Sequence, residues 1–261
     1  MLESRFPVQK VIGLPIAALS FNAQTALMLK WAKERLSKVV CIANVHMLIE
    51  AHKDQQFADV LHNADLVAPD GMPLVWMLRL LGAAKQERVA GPDVLSALCR
   101  LAPEENVSLF FLGSQAAVLA KMRTKLEREF PTLAIAGMEP LPFRPITAAE
   151  DEEIIQKLND SGAGLVLVAL GCPKQEKWMA EHRGKVQAVM VGLGGAFPVY
   201  AGIYKRPPHF VQQVGLEWLY RLVQEPRRLW KRYFSTIPIF VWLACKQFLA
   251  DEKKPNGELN C

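Results

Sequence analysis

The 261-residue sequence is poor in the residue patterns that hold metals and disulfides. Its five cysteines, at 41, 99, 172, 245 and 261, include no CxxC pair and no cysteine spaced with a histidine as zinc ligands. An odd number of widely spaced cysteines argues against a disulfide framework and predicts free thiols in a reducing compartment. His46, His52, His62, His182 and His209 form no cluster with ligand spacing, so no metal site is expected. The full GxGxxG fingerprint and the Walker A loop are both missing. Their absence speaks against a dinucleotide-dependent oxidoreductase and against a P-loop enzyme. No run reaches the roughly 20 apolar residues that span a bilayer as a helix. The N-terminal stretch VIGLPIAALSF (11–21) contains Pro15 and lacks a clean basic leader. It reads as an opening strand and not as a signal peptide. A chain that is soluble, or that lies on a membrane without crossing it, is expected.

What is present is a composition suited to a packed core, with 51% hydrophobic and 22% charged residues. Short apolar runs at 39–44, 64–69, 107–113, 133–138, 164–171 and 186–194 read as strands. Amphipathic stretches separate them; over 115–130, Val118, Met122, Leu126 and Phe130 recur four apart, with Ser114 as an N-cap. This alternation predicts an α/β fold, a Rossmann-like and mostly parallel sheet with helices on both faces. Ligands of such sheets sit at the carboxyl ends of the strands. Attention therefore falls on the loops at 44–47, 69–72, 113–115, 171–175 and 192–197. The pattern changes near residue 204. Residues 1–203 read as the α/β core, 204–250 as a helical, basic and aromatic appendage, and 251–261 as a disordered tail. The formal charge of +5 is modest, but basic residues crowd the segment from Lys205 to Arg232.

Several loops carry residues able to do chemistry. In ADLVAPDGMPLVW (64–76), Asp70 and Gly71 form a sharp turn after a strand. The carboxylate can serve as a general base or can cap the helix beginning near Met72. In GCPKQEKWMAEHR (171–183), a strand ends at Gly171 and Pro173 suits the first helical position. The helix start can bind a diphosphate, with Lys174 adding charge and Gln175 hydrogen-bonding a sugar or base; an ordinary strand-to-helix turn fits equally well. Gly192, Gly194 and Gly195 make a weak Gly-rich signal. Weaker still are Gly113 with Ser114 in LFFLGS, and Gly91 with Asp93 in RVAGPDVL. Arg206 lies in the Pro-broken connection YKRPPHF (204–210). In the appendage, Arg221, Arg227, Arg228, Lys231 and Arg232 interleave with Trp218, Leu219, Tyr220, Leu222, Leu229, Trp230 and Tyr233. That mixture suits a membrane interface, packing on the core, or a nucleic-acid surface. The run 237–245 is apolar but too short to span a bilayer, and Pro238 is expected to break it. No carboxylate pair of the DxD kind stands in a loop after a strand.

Together, ADLVAPDGMPLVW, RVAGPDVL, LFFLGS, GCPKQEKWMAEHR, VGLGGAFPVYAGIYKRPP and GLEWLYRLVQEPRRLWKRY resemble the successive signature blocks of the WecG/TagA/CpsF glycosyltransferases, in order, over roughly residues 10–233. The resemblance implies transfer of a sugar such as N-acetylmannosamine, or its uronic acid, from a UDP donor to a sugar on undecaprenyl diphosphate. It implies inversion at the anomeric carbon, at the cytoplasmic face of a bacterial membrane; with no DxD pair to hold a divalent ion, helix starts and basic side chains are expected to stabilise the leaving diphosphate, and no metal or other cofactor is expected. The products are cell-surface polysaccharides, and nucleic acid is not a partner. Asp70 matches the family's base, which tips its reading from cap toward catalysis. Asn44 and Gln175 match positions lining the donor site. Arg221 and Arg227, with Arg228, are expected to help hold the diphosphate. Where many members carry Asn-Pro-Glu, this chain has Asn44, Val45 and His46, and Ile42 replaces a threonine. Both departures are expected beside the donor sugar. A rival reading is a nucleotide-sugar-binding subunit without turnover, to which the presence of Asp70 is opposed. The oligomeric state, a homo-oligomer included, is left open.

Overall fold

A computed structural model describes residues 6–142 and 144–252. In chain order the strands are β1 (Val8–Val11), β2 (Leu14–Ala17), β3 (Lys38–Ala43), β4 (Leu66–Pro69), β5 (Leu109–Gly113), β6 (Ile135–Glu139), β7 (Leu165–Ala169) and β8 (Val189–Gly192). The helices are α1 (Phe21–Lys33), α2 (Val45–Lys53), α3 (Gln55–His62), α4 (Met72–Leu80), α5 (Gly91–Leu101), α6 (Ala116–Glu129), α7 (Ala148–Asp160), α8 (Lys174–Glu181), α9 (Ala196–Tyr200), α10 (His209–Gln213), α11 (Glu217–Gln224) and α12 (Pro226–Glu252).

The six expected strands form one parallel sheet in the order β4-β3-β8-β7-β5-β6. Its strands read as continuous apolar runs because both faces are covered. In β3 the two-residue period sends Val40 and Ile42 into one core, with Met28 of α1 and Leu95 of α5. Val39 and Cys41 enter the other, with Leu48 of α2 and Leu61 of α3. The four cysteines described, Cys41, Cys99, Cys172 and Cys245, are free thiols.

Several expectations change. The opening segment is not a strand of the main sheet. It folds as the separate antiparallel hairpin β1–β2, because Ile12 and Gly13 both adopt positive φ, as a tight two-residue turn requires. Ser114 is not the N-cap of α6. It sits at φ 65° in the turn closed by its N–H to the Ala169 carbonyl (2.9 Å), and Gln115 takes the cap position. Pro238 does not break the C-terminal segment; α12 runs through it for 27 residues. Pro238 is exposed, so the carbonyl of Phe234, left without its helical donor, also lies on an exposed stretch. By length and apolar composition α12 is able to cross a membrane, contrary to the sequence expectation, though most of it is uncovered by protein. It is nonetheless docked on the core. Leu229, Thr236 and Phe240 are buried, and Phe240 joins the α2–α3 core. Near its far end Gln247 accepts from the Ile12 N–H and donates to the Lys10 carbonyl, both at 2.7 Å. Of the expected tail, Asp251 and Glu252 end α12 and 253–261 lie outside the described residues.

Candidate functional site

The carboxyl ends of β3, β4, β7 and β8 gather four of the five loops singled out by sequence. After β3, Asn44 caps α2, its Oδ1 accepting from the Met47 N–H (3.2 Å), which leaves its Nδ2 donors unused by the cap. After β4, the Asp70 N–H donates to the Ala43 carbonyl at 2.6 Å, tying the turn to the neighbouring strand. Gly71 follows at φ 94° and is the N-cap of α4 with no side-chain cap bond, so Asp70 does not cap the helix. Its carboxylate instead opens onto two cavities.

The first cavity, about 160 Å³, is polar. It is lined by the strand-end residues Ile42, Asn44, Gly171, Gln175, Gly192 and Gly194, and closed by Tyr204, Arg206, Arg221, Arg228 and Arg232. Gln175 is buried at 5% exposure. Its Oε1 accepts from the Gly171 N–H (3.2 Å) and its Nε2 donates to Glu176 (2.7 Å). These bonds brace the loops, and Gln175 also lines the cavity. A Cβ on Gly192 or Gly194 would stand 2.9 Å from its amide, which explains glycine at both positions. The peptide Cys172–Pro173 is cis, and Pro173 is the N-cap of α8, one residue before the helical position expected. Pro173 and Lys174 do not line the cavity, Lys174 being exposed.

Asp70 lies at the seam with the second cavity. Its side chain is 27% exposed and 3.7 Å from Arg88 Nε. Arg88 Nη2 makes a shorter contact, 2.8 Å, to Glu217 of α11. Burial pushes the Asp70 carboxyl up to about 6, with Glu217 and Asp93 adding to the rise and Arg88 and Arg221 opposing it. An acid held near neutrality in a cleft is suited to general-base work. Glu176, buried beneath the Gly171 turn, is also raised by desolvation, while the hydrogen bond from Gln175 opposes the rise.

Other expected site residues fall elsewhere. Gly91 lines the polar cavity, but Asp93 does not and instead pairs with Arg206 at 2.5 Å. Gly113 and Ser114 line neither cavity. A Cβ on Gly113 would meet the Ala169 carbonyl at 2.7 Å, so its glycine serves the packing of β5 against β7. Gly71 lines the second cavity. Arg221 and Arg228 reach the polar cavity; Arg227 is exposed and does not, because it is turned about 100° around the helix from Arg228. Arg228 is braced by Glu225 at 2.6 and 2.7 Å. The departures also separate. Ile42 lines the polar cavity, whereas His46 lines the second. Sequence reasoning passed over Arg88, though it lies in the quoted block RVAGPDVL, and gave no place in the site to Arg232 or Glu217. Among the described residues, no group of three or more His, Cys, Asp or Glu is placed to hold a metal ion.

The model of the "Glycosyl transferase WecG/TagA/CpsF family" matches residues 9–254. A protein of Bacillus spizizenii named N-acetylglucosaminyldiphosphoundecaprenol N-acetyl-beta-D-mannosaminyltransferase is 35% identical over 215 residues, covering 82% of this chain and 81% of the relative. A Bacillus subtilis protein of the same name is 33% identical over 216 residues, with coverage of 82% and 81%.

Proposed function

Since the chain belongs to the WecG/TagA/CpsF glycosyltransferase family and is a glycosyltransferase, we propose that it moves an N-acetylmannosamine-type sugar from a UDP donor to a sugar carried on a polyprenyl diphosphate, inverting the anomeric carbon. The observation that carries this reading is the place of Asp70. It is a partly exposed carboxylate, pushed up to about 6 by burial, where the polar and apolar cavities meet.

In this reading the donor occupies the polar cavity at the strand ends. The acceptor hydroxyl attacks the anomeric carbon while Asp70 takes its proton. The bond from that carbon to the diphosphate oxygen breaks, and UDP departs with the electron pair. Arg206, Arg221 and Arg228, beside the Gly171–Cys172 turn that leads into α8, supply positive potential for the leaving diphosphate. These cations do the work a divalent ion performs elsewhere, so turnover is expected without added metal. Ile42 in the cavity wall offers no hydrogen bond to the donor sugar, and bears on which sugar is accepted.

We place the enzyme on the inner face of the bacterial membrane. Trp230, Phe234, Trp242 and Leu249 of α12 are exposed, and Lys231 and Lys246 lie over the rings of Trp230 and Trp242. Aromatic and basic residues on one helix suit an anionic lipid interface. The test is transfer of radiolabel from a panel of UDP-sugars to N-acetylglucosamine linked through diphosphate to a lipid. Transfer by the wild type and none by Asp70→Asn is expected; equal transfer by both removes Asp70 from the chemistry.

A further inference from the structure

Arg88 stands between two carboxylates. It comes from the segment ahead of α5, and its side chain is 13% exposed. Its Nε is 3.7 Å from Asp70 Oδ1, beyond hydrogen-bond reach. Its Nη2 is 2.8 Å from Glu217 Oε2 and donates to Gln212 Oε1 at 3.5 Å. Both of these nearer partners come late in the chain, Gln212 from α10 and Glu217 from α11. Gln212 is itself held, accepting from Arg206 Nη2 (3.1 Å) and donating to the Pro207 carbonyl (2.7 Å). Glu217 lies in the first turn of α11, where the positive end of a helix favours a carboxylate.

Asp70 and Glu217 are equally exposed, and both open onto the two cavities. Their surroundings set them apart: Glu217 holds the guanidinium and Asp70 does not. Two carboxylates kept in different environments can take different roles. A guanidinium that grips a carboxylate with its fork makes a strong pair and a poor base. Without the charge of Glu217, the carboxylate left within reach of Arg88 is Asp70. A contact that only docked α11 would use the Glu217 oxygen in an aligned bond. Glu217 Oε2 is buried and accepts no hydrogen bond, so what it brings to Arg88 is charge.

We propose that Glu217 is a positioning residue, which holds the Arg88 guanidinium off Asp70 and so leaves that carboxylate free to take a proton. The proposal rests on the reading of Asp70 as the base, and it makes the strength of that base depend on the seating of α10 and α11. Other charged groups face the same place. Arg221 of α11 lowers the Asp70 carboxyl and Asp93 of α5, paired with Arg206, raises it. Arg206 and Tyr233 also feel the charge of Glu217. His46 of α2 and Arg232 and Tyr233 of α12 line the adjoining cavity. Burial pushes His46 down to about 4 and Tyr233 up, so neither changes charge between about pH 5 and 8.

Glu217→Gln removes the charge and keeps the shape. The carbon-13 carboxyl resonance of Asp70, assigned by its loss in Asp70→Asn, is titrated in the full-length protein beside the pH profile of kcat/KM for sugar transfer. In Glu217→Gln both midpoints should move down by about 1–2 pH units, the effect of an arginine brought onto a carboxylate. With the weaker base, kcat at pH 7.5 should fall by about threefold to tenfold while the donor KM changes less than about twofold. Glu217→Asp, which keeps the charge, should restore most of the shift. In an Arg88→Gln background, Glu217→Gln should move the Asp70 resonance less than about half as far, since the guanidinium that carries the effect is gone. Thermal melting verifies the fold of each variant. A midpoint that stays or rises, an equal shift in the Arg88→Gln background, no rescue by Glu217→Asp, or a raised donor KM with an unmoved midpoint would each overturn the proposal. The resonance and the turnover separate it from the reading beneath it. A shifted resonance with turnover indifferent to Asp70→Asn keeps the Arg88 arrangement and removes the base. Turnover that needs Asp70, with an unmoved resonance, keeps the base and removes Glu217.

Discussion

Replacing Asp70 by Asn should make the protein inactive and more stable at the same time. The carboxyl rises from 3.8 to about 6 in the folded protein, mainly because it is buried. A rise of roughly 2 pK units is worth roughly 3 kcal/mol at about 1.4 kcal/mol each. With 27% of the side chain exposed, solvent screens part of this, and about 1–2 kcal/mol is expected. The sign follows from proton binding. Between pH 3.8 and about 6 the folded state binds more protons than the unfolded state, so stability falls as pH rises through that window. Above it the ionised carboxylate is a fixed cost, which a neutral amide of the same shape removes. Arg88 does not lose its partner, since Glu217 holds it at 2.8 Å. Asp70→Asn should therefore melt about 2–6 °C higher than wild type at pH 7.5. The difference should close as pH falls below about 5. Turnover should drop by about 10²–10⁴, the usual share of a general base. Differential scanning calorimetry across pH, with radiolabel transfer, measures both. A variant less stable than wild type at pH 7.5, or one with normal turnover, refutes the assignment.

The wild-type kcat/KM should fall on the acid side with an apparent pKa near 6, following Asp70; a flat profile from pH 5 to 8 contradicts this. Arg221→Ala should raise the donor KM about thirtyfold, the loss of one charge-assisted bond of about 2 kcal/mol, whereas Arg227→Ala, outside both cavities, should change it less than about twofold. EDTA should leave turnover unchanged, and activity restored only by added manganese would show that the arginines are not sufficient. Gly113→Ala should destabilise by more than about 1 kcal/mol in denaturant titration, because φ is 91° and the new Cβ meets a carbonyl at 2.7 Å.

The sheet was legible because its strands are buried on both sides and so stand out as unbroken apolar runs such as LVLVA at 165–169. Asp70 read from its spacing as either a base or a helix cap, and only the family resemblance tipped it toward a base; in the fold it caps nothing. Arg88 was not, since its partners Asp70 and Glu217 lie on other elements and only folding brings them together. The choice between Arg227 and Arg228 depended on helical phase after the break at Glu225–Pro226, which composition does not fix. Pro238 misled for a related reason. Its cost of about 3 kcal/mol is a local penalty, and α12 offsets it by docking Leu229, Thr236 and Phe240 along a different face. The hairpin was overlooked although Ile12–Gly13 is a two-residue turn signal, because the run from 11 to 21 was read as a single element.

The clasp between Gln247 and the first hairpin has an evolutionary consequence. Gln247 grips only main-chain groups, the amide of Ile12 and the carbonyl of Lys10. Side chains in that turn can drift without loosening the clasp, while one inserted or deleted residue would carry its paired donor and acceptor out of reach. Engineered grafts of this helix onto related cores should therefore match the turn in length and keep glycine at 13 for its positive φ, leaving the remaining side chains free.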